Sequence, residues 1–195
     1  MEVIDAMRAF AYVVGSQGGP GAALMDMAQS LGFGGVAPYV GIKAAEQQIL
    51  QTPICYFLFS AVEDVRNLRS IAETIRFSHG RRLRFSPLIY FAESPSLEFI
   101  GACINMGFDD VITLPFTARR LQERIARQID NSHIYYETSG YFGPDRRGRH
   151  NGSQLNGRHR TGGPFRRIEI IRSLANGINI VRDDQFQDNS FSQAS

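Results

Sequence analysis

The apolar run Ile54–Phe59 constrains the fold more than any other feature of the sequence. Its residues, Ile-Cys-Tyr-Phe-Leu-Phe, include no charged side chain, glycine or proline. A strand with one face in water alternates apolar and polar side chains, whereas a central strand of a parallel sheet is covered on both faces and is apolar throughout. The run therefore predicts a buried strand in a parallel sheet.

Short apolar runs and helical periodicities alternate over the first 130 residues. Strands are predicted over residues 10–14, 32–41, 54–59, 87–92 and 111–114, and helices over residues 22–31, 44–51, 65–77, 96–107 and 117–129. Successive β–α units with right-handed crossovers form a doubly wound sheet. We therefore expect an α/β fold with a five-stranded parallel sheet, helices on both faces, and a cleft at the carboxyl ends of the strands.

The composition is typical of a chain with a packed core. Hydrophobic residues make up 43% and charged residues 21% of the 195 residues. No apolar run approaches the ~20 residues of a membrane helix, and the acidic first residues lack the basic start of a secretion signal. Cys55 and Cys103 lie in apolar runs, which indicates reduced core residues and not a disulfide or metal site. We expect a cytoplasmic protein that does not enter a membrane.

Residues 106–116 read Met-Gly-Phe-Asp-Asp-Val-Ile-Thr-Leu-Pro-Phe. This segment resembles the Gly-Ala-Asp-Asp-Tyr-Ile-Thr-Lys-Pro-Phe segment of the CheY-like receiver domains of two-component response regulators, and the order of elements over residues 8–130 is similar to theirs. The resemblance implies a flavodoxin-like fold and a cis peptide bond between Leu114 and Pro115. It also implies a protein-contact face built from the last two helices and the fifth strand.

The phosphorylation site implied by that resemblance is degenerate in this chain. Receivers hold Mg²⁺ with acidic residues after the first strand and accept a phosphoryl group on an aspartate at the end of the third. They contact the phosphate with a hydroxyl after the fourth strand and a lysine before the proline. The matching positions here are Gly15, Ser16, Phe59 or Ser60, Ala92 and Leu114. Mg²⁺ needs oxygen ligands, and phosphoryl transfer needs a positioned metal and cations. We therefore expect neither a metal ion nor phosphorylation of an aspartate.

Two features near this site have alternative interpretations. Glu63 and Asp64 follow the third predicted strand. They are predicted to begin the next helix, and the alternative is an atypical phosphoryl acceptor among Ser60, Glu63 and Asp64. The Gly-rich loop at residues 15–21 lies between a strand and a helix, as a phosphate-binding loop does. It lacks the established phosphate-binding motifs, so it is predicted to fill the place of the lost acidic pocket.

Arginine and glycine dominate the extension after residue 130. The chain has 20 arginines and one lysine, and Gly-Pro-Asp-Arg-Arg at residues 143–147 recurs as Gly-Pro-Phe-Arg-Arg at residues 163–167. Each Gly-Pro predicts a turn that presents two guanidinium groups, which bind phosphate and stack on bases. The repeat resembles the extensions of alphaproteobacterial CheY-like proteins of the Cle type, some of which bind cyclic-di-GMP. This resemblance implies a ligand site at Arg146, Arg147, Arg166 and Arg167.

Two other interpretations of the extension remain open, namely a solvated basic linker and a binder of nucleic acid or acidic protein. The net charge of +2 argues against a dedicated nucleic-acid binder, and the four histidines lack metal-ligand spacing. The predicted organisation is a receiver-like domain over residues 1–130, a flexible, mostly irregular extension over 131–167, a short docking helix or hairpin over 168–182, and a disordered tail over 183–195.

These features predict a non-enzymatic signalling protein of the two-component or phosphorelay type. It would act as a phosphorylation-independent adapter that contacts another signalling protein and needs no cofactor. One alternative is a cyclic-di-GMP effector, and another is a receiver phosphorylated at an atypical acceptor. Homodimerisation through the last-helix face is a further alternative.

Overall fold

A five-stranded parallel sheet lies at the centre of the computed structural model, which describes residues 7–145 and 163–187. Its strands are β1 (Met7–Val14), β2 (Phe33–Pro38), β3 (Ile54–Phe59), β4 (Leu88–Ala92) and β5 (Asp110–Thr113). Their order is β2-β1-β3-β4-β5, which is the order of the flavodoxin-like fold to which CheY belongs. The CheY-like receiver fold expected from the sequence is confirmed.

Six helices connect and flank these strands: α1 (Pro20–Ser30), α2 (Ile42–Gln51), α3 (Arg69–Arg76), α4 (Arg81–Arg84), α5 (Leu97–Asn105) and α6 (Ala118–Ala126). The hydroxyls of Ser96 and Thr117 cap α5 and α6, as the sequence predicts. Each hydroxyl accepts a hydrogen bond from the backbone amide three residues later in the chain. The helix predicted over residues 65–77 is divided into a 3₁₀ turn at Val65–Leu68 and α3.

The core consists of two apolar clusters, one on each face of the parallel sheet. Helices α1 and α6 pack on one face, and α2, α3 and α5 pack on the other. All six residues of β3 are buried between the clusters, which explains the uninterrupted apolar run. Cys55 and Cys103 are unbonded and buried in the second cluster, and burial raises the pKa of each thiol to about 12.

The extension differs from the mostly irregular segment that we expected. Its described residues form β6 (Ser132–Thr138), β7 (Tyr141–Pro144), β8 (Phe165–Ser173) and β9 (Gly177–Phe186), an antiparallel sheet of order β7-β6-β8-β9. The physical reason is a period-two pattern of aromatic and branched side chains, of which Tyr135, Phe142, Ile168, Ile170 and Ile178 are buried.

Part of the predicted organisation of the extension matches these strands. The hairpin alternative for residues 168–182 corresponds to β8 and β9, which turn at Leu174–Asn176. Residues 183–186, expected to belong to a disordered tail, pair instead with residues 165–168. The predictions for residues 146–162 and 188–195 lie outside the described residues.

The antiparallel sheet packs on the receiver at the amino ends of the parallel strands. The ring of Tyr135 lies edge-on to Phe85, which precedes β4, at 5.1 Å between centroids. Gly143 in β7 lies so close to the turn before β5 that a Cβ atom on it would be 2.6 Å from the Cα atom of Gly107. The buried residues of this sheet belong to the same apolar cluster as those of α1 and α6. The two sheets therefore share one core.

Candidate functional site

The residues of the expected phosphorylation site lie at the carboxyl ends of β1, β3, β4 and β5. Phe59 is fully buried, and its ring lies edge-on to that of Phe108 at a centroid distance of 4.7 Å. Ala92 is also buried, and its carbonyl accepts a hydrogen bond of 2.8 Å from the Leu114 amide. Leu114 is 38% exposed and precedes the expected cis bond to Pro115. The positions that correspond to acceptor, hydroxyl and lysine thus carry Phe59 or Ser60, Ala92 and Leu114, none of which is charged.

Gly15 and Ser60 fit together tightly where the acidic residues of a receiver would lie. The Ser60 side chain is buried, and its amide donates a 2.9 Å hydrogen bond to the Val14 carbonyl. A Cβ atom on Gly15 would lie only 2.0 Å from the Ser60 hydroxyl oxygen. A carboxylate at position 15 would therefore require Ser60 to move. The Ser16 hydroxyl turns away into its own loop and donates to the Gly18 carbonyl at 2.7 Å.

The nearest carboxylates after β3 are outside this pocket. Glu63 is exposed. Asp64 accepts a hydrogen bond of 2.9 Å from the Arg66 amide and caps the 3₁₀ turn, which is the role that the sequence predicted for it. Its side chain also pairs with the Arg66 guanidinium, and this hydrogen bond lowers the pKa of Asp64. In residues 7–145 and 163–187 no group of three or more histidine, cysteine or acidic side chains could hold a metal ion.

The Gly-rich loop between β1 and α1 borders a small cleft of about 180 Å³. Its walls come from the loop, from α1 and from the end of β2, and its one charged side chain is that of the acidic residue Asp26. Among the residues that the structure describes, no lysine or arginine lines it, and phosphate-binding loops add such a cation to their backbone amides.

The four arginines of the expected ligand site are not brought together by the described residues. Arg146 and Arg147 lie outside them. Arg166 and Arg167 are consecutive in β8, so their side chains project from opposite faces of the sheet.

Each of these two arginines is bound to carboxylates. Arg166 forms a bidentate pair with Asp183, with N–O distances of 2.7 and 2.6 Å, and it also contacts Glu137. The hydrogen bond to Asp183 raises the pKa of Arg166. Arg167 lies 3.4 Å from a carboxylate oxygen of Glu169 and 3.8 Å from one of Asp184. The cyclic-di-GMP site stays a prediction.

A buried charge cluster, which the sequence did not reveal, joins the extension to the receiver. It consists of Arg76, Asp109, Tyr135 and Arg172, all of which are at most 3% exposed. The Asp109 carboxylate accepts hydrogen bonds from Arg76 at 2.5 Å, from Arg172 at 2.8 Å and from the Tyr135 hydroxyl. Because Asp109 precedes β5, this cluster lies at the amino ends of the parallel strands, opposite the residues of the expected phosphorylation site.

The remaining guanidinium N–H groups of this cluster reach carbonyl oxygens where helices end. Arg76 donates to the Gly107 carbonyl after α5 at 2.9 Å and to the Ser86 carbonyl after α4 at 2.8 Å. Arg172 donates to the Phe85 carbonyl at 2.8 Å. Cations near helix carboxyl ends are stabilised by the helix dipole. These hydrogen bonds to carbonyl oxygens therefore stabilise the positive charge that a single aspartate leaves unbalanced between two arginines.

His133 in β6 lies at the edge of this cluster and supports a prediction of pH dependence. Its Nε2 atom is buried without a hydrogen-bond partner among the described residues. Burial and, to a lesser extent, the nearby Arg172 cation lower the pKa of His133 to about 4, although the Asp109 charge acts in the opposite direction. As the pH falls, His133 is protonated in the unfolded chain before it is protonated in the folded chain. The contribution of neutral His133 to the free energy of unfolding is therefore fully present above pH 6.5 and is lost as the pH falls towards 4. We expect a loss of about 1–3 kcal/mol over this interval.

The measurement is urea unfolding at several pH values between 7 and 4. His133→Gln should reduce the pH dependence of the free energy of unfolding between pH 6.5 and 5, an interval in which ordinary carboxylates remain ionised. His79→Gln, which changes an exposed histidine, should leave it unchanged. An equal slope in the His133→Gln variant and the original chain would contradict the assignment.

The comparisons with known proteins find receiver-like domains. A pilus assembly-related protein from Burkholderia pseudomallei is 19% identical, with a TM-score of 0.45 over 65% of this chain and 93% of its own. The CheY-like protein TadZ from Pseudomonas aeruginosa is 18% identical, with a TM-score of 0.43 over 60% of this chain and 97% of its own. A response regulator from Chloroflexus aurantiacus is 15% identical, with a TM-score of 0.42 over 60% of this chain and 94% of its own.

The similarity to these structures is one of fold. No family model and no curated protein matches the chain. None of the helices in the described residues is long and apolar enough to cross a membrane.

Proposed function

We propose that this chain is a receiver-like signalling protein without enzymatic activity, which acts by protein contact and without phosphorylation of an aspartate. One observation carries the proposal: neither residue that matches the acceptor position has a carboxylate, since Phe59 is fully buried against Phe108 and Ser60 is a buried serine beside Gly15. A hydrocarbon ring cannot accept a phosphoryl group or bind Mg²⁺. A receiver fold that lacks this input retains its contact surfaces.

The face built from α5, β5 and α6 is suited to such contacts. In α5, Cys103 alone is fully buried, although most of its side chains are apolar. Leu97 is 88% exposed, and Ile100 and Ile104 are partly exposed. Apolar side chains grouped on an exposed helix mark interaction surfaces. The partner on this face would be another signalling protein.

Incubation with acetyl phosphate and Mg²⁺ tests the absence of phosphorylation. We expect the intact mass of the protein to remain unchanged, because no described group combines an acceptor carboxylate with a metal site. A mass increase of one phosphoryl group would contradict the proposal. Loss of that increase in Ser60→Ala or in Glu63→Gln/Asp64→Asn would then identify an atypical acceptor.

Partner capture tests the contact face. A partner retained by the original chain should be lost with Ile104→Glu and kept with Val181→Glu, which places the same charge on an exposed residue of β9. Retention should be equal with and without acetyl phosphate. A partner that binds only after treatment with the phosphate donor would overturn the proposal.

A further inference from the structure

The edge strands of the two sheets differ in how they are protected. An edge strand exposes unpaired backbone groups, and proteins guard such edges with charges, bulges, prolines or short strands. At β5, the Arg124 guanidinium pairs with Asp110 and also donates to the Val111 carbonyl at 3.2 Å. Strand β7 has only four residues. These two edges are protected by known devices.

Strand β9 is protected in two ways. Its pairing with β8 shifts register between Glu169 and Ile170, which makes Val181 a bulge. The following residues, Arg182, Asp183 and Asp184, are charged. A bulge and consecutive charges both oppose the addition of another strand.

The pairing of β1 with β2 also shifts register, between Met7 and Phe10, but the extra residue belongs to β1. Strand β2 itself has neither a bulge nor a charge. No charged residue occurs from Met27 through Ile42, a segment that contains the whole strand. Gly34 is exposed, Gly35 and Val36 are partly exposed, and Val40, two residues beyond the strand, is 76% exposed. Pro38 occupies only the last position. Within the part of the chain that the structure describes, β2 is bordered on one side by β1 and on the other by no strand.

The backbone of β2 presents a short set of donors and acceptors at this edge. The Tyr39 amide donates to the Val13 carbonyl of β1 at 2.8 Å. Because backbone groups alternate in direction along a strand, the N–H and C=O groups of Gly34 and Val36 point away from β1. Pro38 has no N–H and limits any added ladder to these two residues.

If a two-fold axis at Gly35 related two copies of β2, the outward N–H and C=O groups of Gly34 and Val36 would all form hydrogen bonds. It places Gly34 of one copy opposite Val36 of the other, and each such pair exchanges two hydrogen bonds. Self-pairing of a charged strand can bring like charges together, which is destabilising, whereas the neutral β2 has none. Glycine at positions 34 and 35 adds no side-chain bulk between the paired backbones.

We propose that the edge of β2 is a dimerisation surface, at which a second copy of this chain adds its own β2 in antiparallel orientation. The two parallel sheets then form one continuous sheet across the dimer. This surface lies at the opposite edge of the sheet from β5, so it leaves the α5–β5–α6 face accessible to a signalling partner.

Sedimentation velocity of the full chain over about 1–100 μM tests this surface. We expect a monomer–dimer equilibrium whose dimer fraction rises with concentration. Gly34→Lys should weaken the dimer at least about tenfold, because the two-fold axis brings two cations to the shared edge. Gly34→Pro should have the same effect, because it removes one outward donor from each strand and leaves the β1–β2 hydrogen bonds intact.

The matched control is Gly101→Lys, which adds the same charge on α5 at a glycine with open space around it. Unchanged circular dichroism spectra establish that each variant is folded. Weakening by both Gly34 variants, with Gly101→Lys unaffected, supports the proposal. A monomer at every concentration, a dimer that survives either Gly34 variant, or weakening by Gly101→Lys overturns it, and the last result would assign dimerisation to the last-helix face.

Discussion

Asp109→Asn is expected to lower the free energy of unfolding by about 3–5 kcal/mol, because it removes the one carboxylate between two buried guanidinium groups. Asp109 is the charged partner of both Arg76 and Arg172. Neither arginine can reach water, since each is at most 1% exposed. Urea unfolding measures the change, and an unchanged m-value establishes that it is a change in stability.

Two further variants serve as a control and as a milder change in the same cluster. Glu123→Gln removes a carboxylate from the exposed pair with Arg119 and should change stability by less than about 0.5 kcal/mol. Tyr135→Phe removes only the hydroxyl that donates to Asp109 and should cost about 1–3 kcal/mol, which keeps the test informative if Asp109→Asn does not fold. An Asp109→Asn variant as stable as Glu123→Gln would show that the cluster contributes little.

The same cluster predicts how the protein responds to acid. Burial alone would raise the pKa of Asp109, but Arg172, Arg76 and the hydrogen bond from Tyr135 lower it well below its ordinary value. The stabilisation is therefore present above about pH 4, where the unfolded carboxyl is also ionised, and is lost as the pH falls below that value.

A chain that ends at Asp130 is expected not to fold cooperatively. The antiparallel sheet contributes Tyr135, Phe142, Ile168, Ile170 and Ile178 to the core that contains α1 and α6. At about 1.5–3 kcal/mol for each buried side chain, their loss is comparable with the 5–15 kcal/mol that stabilises a typical domain. Truncation also removes Arg172, one of the two cations that pair with Asp109.

Thermal unfolding followed by circular dichroism tests this expectation. The full chain should show a cooperative transition, whereas residues 1–130 should show none or should aggregate. A truncated chain with a sharp transition within about 5 °C of the full chain would establish an independent receiver domain. That outcome would not bear on the expected phosphorylation site, since its residues lie at the other end of the sheet.

The sequence predicts the parallel sheet well because its signals are local. The apolar run at Ile54–Phe59 and the caps at Ser96 and Thr117 each depend on a few neighbouring residues. The degenerate phosphorylation site stays a prediction, which depends on the identities of Phe59 or Ser60, Ala92 and Leu114.

The antiparallel sheet and its charge cluster were harder to predict. The abundance of glycine and arginine after residue 130 obscured the alternation in β6, and Arg172 interrupts an apolar run as a solvent-exposed residue would. Its burial depends on Asp109 and Tyr135, which are 63 and 37 residues away along the chain. One sign was available: Ile168, Ile170 and Arg172 share one face of β8, and that face is buried.

The packing of Ser60 against Gly15 limits which side chains position 15 can carry. Any side chain at position 15 collides with the Ser60 hydroxyl, and an aspartate in place of Phe59 would bury a charge without a counterion or metal. Placing acidic residues at all the positions that match a receiver would require substitutions on several strands and a shift of the Ser60 side chain. The carboxylate set of a phosphorylated receiver is therefore not reached by a substitution at position 15 alone.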